Sequence, residues 1–144
     1  MAEQHVPIEE TTLYKTFEEV ADDVWSLVDA WPQFAKNAMG RQLVSAADSV
    51  TANLAEGDGR YGSYDAIHFF VIARGSARET KDRLKRASKR GLAPALLIAK
   101  CDRGLRELNA FISYRRRVAK PSTVRDERVE YIADEPSQHL TLNT

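Results

Sequence analysis

The stretch Asn53–Asp65, NLAEGDGRYGSYD, places three glycines within six residues, among three acids, an arginine and two tyrosines. It is either a loop that cradles phosphate or a turn between two helices. A phosphate loop follows a strand and carries a lysine after its last glycine, as in GxxxxGK[ST]. Here no lysine follows and no strand pattern precedes. As a turn, the stretch uses nearly every residue. Gly57 stands where a left-handed residue would close one helix, and Gly59 adds a second permissive position. Ser63 stands where the next helix needs an N-cap, and Asp65 falls in its first turn, where negative charge is favoured. Glu56 and Arg60 are four apart and can pair. The glycines are read as helix punctuation, with anion binding at the following N-terminus as the alternative.

On both sides the apolar residues repeat at helical spacing. Before the turn, Met39, Leu43, Ala46, Val50, Asn53 and Gly57 form one stripe, and Phe17, Val20, Val24, Leu27 and Trp31 form an earlier one, with Pro32 closing that helix or opening the next. After it come Ala66, Phe70, Ala73, Ala77, Thr80, Leu84 and Ala87, stopped by Gly91. Ile98, Cys101, Leu105, Leu108 and Ile112 follow Pro94. No segment alternates with period two. The expected fold is all-α, an antiparallel up-and-down four-helix bundle over residues 13–117. A flexible segment, 1–12, is expected before it, and a mostly disordered acidic tail, 118–144, after it.

The 144 residues carry 21 basic and 21 acidic side chains, but the charges are segregated. Residues 1–39 have eight acids and two bases, whereas 74–120 have fifteen bases and four acids. Such asymmetry calls for a charged partner or charge-matched self-association. No run has the ~18 apolar residues of a membrane span. With one cysteine and no secretory leader, the expected setting is the cytoplasm, away from membranes.

NLAEGDGR (Asn53–Arg60) followed by IARGSARE (Ile72–Glu79) resembles the paired signature of the four-helix bundle proteins encoded in intervening sequences of 23S ribosomal RNA genes. RQLVSAADSVTANLAEGDGR and ASKRGL match the order and spacing of that family, and the likeness covers roughly residues 14–116. Leu54 stands where isoleucine is usual, and the long acidic tail is a departure. A similar bundle is the accessory variability protein of diversity-generating retroelements, which works beside a reverse transcriptase. The resemblance implies a homopentameric ring without catalysis and, for the retroelement members, binding to nucleic acid and to the transcriptase. The motif residues Asn53, Glu56, Gly57, Gly59, Arg60, Ser76 and Glu79 are read as structural.

The titratable groups do not assemble an active site. His5 and His139 lie in the end segments, and His68, flanked by Ile67 and Phe69, reads as a core or interface residue. No histidine or cysteine pair has metal-binding spacing, so neither metal nor cofactor is expected. Cys101 falls on an apolar stripe and reads as an inert buried thiol. Asn53 interrupts its stripe, and a polar residue there needs a partner. It can then fix register or assembly geometry.

The third helix carries the functional signal. Ile67, Val71, Ile72 and Gly75 lie off its core stripe, so an apolar flank is left for another copy to cover. Farther along, Arg74, Arg78, Lys81, Lys85 and Lys89 share one flank, and Arg83, Arg86 and Arg90 share another. Arg115, Arg116 and Arg117 extend the basic field onto the fourth helix. Local pairing cannot absorb this excess, and RNA or DNA read through its phosphates is the natural partner. The expectation is a non-enzymatic, oligomeric nucleic-acid-binding accessory protein, with a reverse transcriptase as a further partner. The alternative is a protein-binding scaffold with no direct nucleic-acid role.

Overall fold

Amphipathic helices joined by short turns bury their stripes most economically against their sequence neighbours. The computed structural model describes residues 5–60 and 62–119, and every element among them is a helix. Helix α1 is Thr12–Asp29. Helix α2 covers 33–58 as one rod: a turn Gln33–Ala35, a π-helical segment Lys36–Gly40 and the α-helix Arg41–Asp58. Helix α3 is Tyr64–Lys89, and α4 is Ala95–Val118. Each helix packs on the next, and α4 closes on α1. The helices α1 and α3 are therefore diagonal. Among the described residues, no helix is long and apolar enough to cross a membrane.

The expected stripes face inward. Phe17, Val20, Val24, Leu43, Val50, Leu54, Phe70, Leu84, Leu108 and Ile112 are fully buried. Cys101 is buried with them, its thiol 3.6 Å from the Ala77 carbonyl, and burial pushes its pKa up to about 11. At one end of the bundle, Gly91 takes the left-handed conformation at φ 73°. The Leu92 amide then donates to the Ala87 carbonyl at 2.8 Å, completing a Schellman cap. The Trp31 indole donates to the Leu92 carbonyl at 2.8 Å and joins the two turns at that end.

Several expectations change. Gly57 is not a left-handed cap but lies inside α2, facing the core. A Cβ there would stand 2.5 Å from Phe70 Cε1, so the glycine lets α2 and α3 approach. Gly59 ends α2 at φ −63°, and the left-handed position in this turn is Gly62, at φ 75°. Ser63 occupies the N-cap position of α3, but its side chain makes no capping hydrogen bond. His68 is exposed on α3, edge-on to Phe69, and is not a core residue.

Part of the N-terminal segment expected to be flexible is fixed on the bundle. Residues Ile8–Glu10 form a 3-10 turn with Ile8 only 2% exposed. The Ile8 amide donates to Asp58 Oδ2 at 3.1 Å, and His5 Nε2 lies 3.2 Å from the same oxygen. The expectation of a disordered tail falls, beyond Val118 and Ala119, outside the described residues.

Candidate nucleic-acid interface

The surroundings of α3 follow from its contacts. On one side Ser76 donates to Ser49 Oγ at 2.9 Å and Arg83 to Gln42 at 2.6 Å, so that side meets α2. On the other, Lys81 pairs with Asp102 and Arg74 donates to Asn109 at 3.3 Å, so that side meets α4. At 100° per residue, the stripe Arg74, Arg78, Lys81, Lys85, Lys89 therefore runs along the α3–α4 seam. The second flank, Arg83, Arg86 and Arg90, runs along the α2 side. A cleft of about 310 Å³ opens on the seam, lined by the cations Arg78, Lys81, Lys85 and Arg106 and by the acids Asp82 and Asp102.

The expected cations are not equivalent. Lys81 is not free for a ligand, because it bonds to Asp102, which also accepts from Arg106 at 2.6 Å. The Lys81 bond, with Arg106 nearby, holds the Asp102 carboxyl below its ordinary range. Arg115 departs from the surface role expected of it. Its guanidinium lies over the Phe70 and Phe111 rings, at 5.4 and 5.6 Å from their centroids, and serves packing. Arg117 lies over Tyr114 at 6.0 Å, and Arg90 donates to Met39 Sδ at 3.0 Å. Lys100 reaches the acidic first helix, bonding Glu19 at 3.0 Å and Asp23 at 3.1 Å, and these bonds raise its pKa.

Arg78, Lys85, Arg86, Lys89 and Arg116 remain. Among the described residues none of them forms an ion pair. Arg74 also lacks a carboxylate. Burial and the neighbouring Arg78 and Arg116 guanidiniums lower its pKa. The polar groups of α4 that shape this seam, Asp102 and Asn109, escaped the sequence reading. Their signal is positional, since Asp102, Asn109 and Arg116 recur at steps of seven on one side of the helix.

Ile67 and Val71 are half-buried on the outward arc of α3, while Ile72 is 39% exposed. Gly75 is outermost, with nothing within 4 Å of where its Cβ would be. The motif residues form local clamps. Arg60 bonds Glu56 at 2.9 Å and Asp65 at 3.1 Å, with its guanidinium 4.8 Å from the Phe69 centroid. Asn53 donates to the Ser49 carbonyl at 2.8 Å and to its hydroxyl at 3.0 Å, and Ser76 completes that link between α2 and α3. Glu79 pairs with Arg83 at 3.0 Å. The Asn53 amide nitrogen thus finds both its acceptors inside one bundle.

The fold and this surface define a four-helix bundle protein with one cationic seam. Over residues 9–113 the chain matches the model of a family described as the 23S rRNA-intervening sequence protein, and it belongs to that family. No curated protein matches it at the level that marks a relative.

Proposed function

We propose that the protein is a non-enzymatic, oligomeric accessory protein of the cytoplasm that binds nucleic acid along the α3–α4 seam. The carrying observation is the run of cations without carboxylates, Arg74, Arg78, Lys85, Lys89 and Arg116, on a seam whose other cations are paired. Over residues 74–89 this line is about 22 Å long at the helical rise of ~1.5 Å per residue, enough to follow several phosphates of one strand. Recognition through phosphates implies weak sequence preference.

The outward apolar arc around Ile72 and Gly75 supports self-association, and a ring would set several seams side by side. The family resemblance favours five copies and makes a reverse transcriptase the protein partner to test first. A specific observation favours the scaffold reading as well. Trp25, Phe34 and Leu96 are 64, 84 and 80% exposed toward the end of the bundle that Trp31 joins, and they offer aromatic and aliphatic anchors to a protein.

The test is titration of labelled RNA and DNA at several salt concentrations, with light scattering for the assembly state. Affinity falls roughly 10³-fold between 50 and 200 mM salt if about six phosphates are neutralised. Arg78→Glu, Lys85→Glu and Lys89→Glu together weaken binding to every sequence alike, and Ile72→Glu splits the oligomer. Absence of binding at low salt transfers the function to the scaffold reading.

A further inference from the structure

Away from the seam, the outer face of α4 is one exposed stripe. Leu96, Ala99, Arg103, Arg106, Ala110 and Arg117 recur there at helical spacing, and all are exposed. The charges on this stripe are positive. Arg103 and Arg117 form no ion pair among the described residues, and the Arg106 side chain, though bonded to Asp102, is 68% exposed. At the Leu96 end the stripe opens into a groove between α1 and α4, about 680 Å³ in volume. Leu27, Pro94, Leu96 and Leu97 give the groove an apolar lining, and Lys100 and Arg103 add positive charge. Its volume is that of a cleft that encloses a ligand, roughly 300–1,000 Å³. Leu96 is nevertheless 80% exposed, so its apolar surface is uncovered.

The chain beyond α4 carries a segment of matching chemistry. Residues 126–135, DERVEYIADE, place five acids and one base around Val129, Tyr131 and Ile132. They lie outside the described residues. The way back from Val118 to Leu96 is about 33 Å along α4, at ~1.5 Å per helical residue. Extended chain covers that distance in about ten residues, at ~3.3 Å each. With about four more residues spent on reversing direction, the length of a β-turn, the return brings Tyr131 and Ile132 to the groove. Glu127 and Glu130 then bracket the levels of Arg106 and Arg103.

We infer that residues 126–135 dock in the α1–α4 groove of their own chain, with Tyr131 and Ile132 on Leu27, Leu96 and Leu97 and the acids facing Arg103 and Arg106. Apolar burial supplies the attraction, and the charges set direction and register. A short tether raises the local concentration to the order of millimolar, so a contact too weak to hold a separate peptide suffices. The same tether favours this segment over a second copy or an unrelated protein in the groove. Trp25 and Phe34 do not line the groove and stay available to a partner protein.

The experiment is disulfide trapping in the full-length protein, with Cys101→Ala removing its one cysteine. Leu96→Cys/Ile132→Cys is oxidised with glutathione disulfide and followed by non-reducing electrophoresis and mass spectrometry. The two sulfurs join only if their backbones approach within ~7 Å. An intrachain disulfide is expected at least about tenfold faster than in Asp48→Cys/Ile132→Cys, by the gain in effective concentration that docking gives. Asp48 is exposed on α2, diagonally across the bundle from α4. Arg103→Glu should slow the trapping, and adding Glu127→Arg/Glu130→Arg should restore it, with circular dichroism confirming the helices throughout. Equal rates in the two cysteine pairs overturn the docking. A disulfide that joins two chains overturns it too and assigns the groove to a second copy. A rate indifferent to Arg103→Glu likewise overturns it, because the disulfide then reports reach alone.

Discussion

Replacing Gly57 with alanine tests how the signature turn builds the bundle. In an open helical position, glycine to alanine stabilises by about 1 kcal/mol, because the alanine backbone has less freedom to lose. Position 57 is not open. The new methyl would stand 2.5 Å from Phe70 Cε1, 2.8 Å from Cδ1 and 3.0 Å from the Ala66 carbonyl oxygen. The ring cannot easily withdraw, since Phe70 is wholly buried, meets Phe111 edge-on at 4.9 Å and lies under the Arg115 guanidinium. Overpacking of this kind costs about 1–3 kcal/mol, and here two backbones must also separate. The expected net is a loss of about 1–2 kcal/mol, a fall in Tm of roughly 3–8 °C for a chain of this size. Gly75→Ala, with nothing within 4 Å inside the protomer, serves as the reference and should gain about 0.5–1 kcal/mol when all proteins carry Ile72→Glu, which keeps protomers apart. In the Phe70→Leu background, Gly57→Ala should cost less, because the clash partner is smaller. Thermal unfolding of these four variants and of the otherwise unmodified protein decides. If Gly57→Ala stabilises as much as Gly75→Ala, the close α2–α3 approach is refuted.

Asp102→Asn should release Lys81 and Arg106 into the seam, tighten RNA binding and steepen the salt slope by about 0.9 for each cation that finds a phosphate. An unchanged slope would mean that the Asp102 cluster lies outside the binding surface. Cys101 should react slowly with thiol reagents until the protein unfolds, since its thiol is buried and stays neutral up to about pH 11. Because folding raises this pKa above the ordinary value of 9.0, the neutral thiol's contribution is fully present below pH 9 and is lost as pH rises toward 11. Cys101→Ala should therefore show a shallower alkaline loss of stability, by up to about 2–3 kcal/mol in denaturant titrations. Asp58→Ala strands the buried Ile8 amide and should cost about 1–3 kcal/mol, with faster proteolysis ahead of α1 as the local readout.

The core was legible because helical periodicity reports burial directly. Phe17, Val20, Phe70, Leu84 and Ile112 each lie inside where the stripe placed them. The turn was legible only as a turn. Gly57 and Gly62 look alike in sequence, yet one is a close-packing glycine and the other a left-handed one. That difference depends on the partner across the helix interface, Phe70, thirteen residues away. The same limit applied to the cations. The direction of the basic stripe follows from 3.6-residue spacing, but the neutralisation of Lys81 by Asp102 and the withdrawal of Arg115 onto aromatic rings depend on which helix lies alongside. Ile8 escaped notice because a single apolar residue ahead of the first helix has no periodicity to reveal it.

The topology also explains why so polar a charge distribution persists in a molecule with 21 charges of each sign. In this bundle α1 touches α2 and α4, and α3 touches the same two, so the outer faces of α1 and α3 point apart. The acids Glu18, Asp22 and Asp29 lie on exposed α1 positions and form no ion pair among the described residues. The unpaired bases Arg78, Lys85, Arg86 and Lys89 lie on exposed α3 positions. Among the described residues, only where α4 meets α1 does a cation, Lys100, pair with the acidic helix. Across the width of the bundle, with a Debye length of ~8 Å at physiological ionic strength, the two faces barely sense each other. Among the described residues neither field is neutralised within one protomer, and under the proposed function each is met from outside. The α3–α4 seam, with its cleft, is the face that the proposed function assigns to a polyanion. The acidic face of α1, with Trp25 exposed beside it, is the surface left for a basic protein or for another copy.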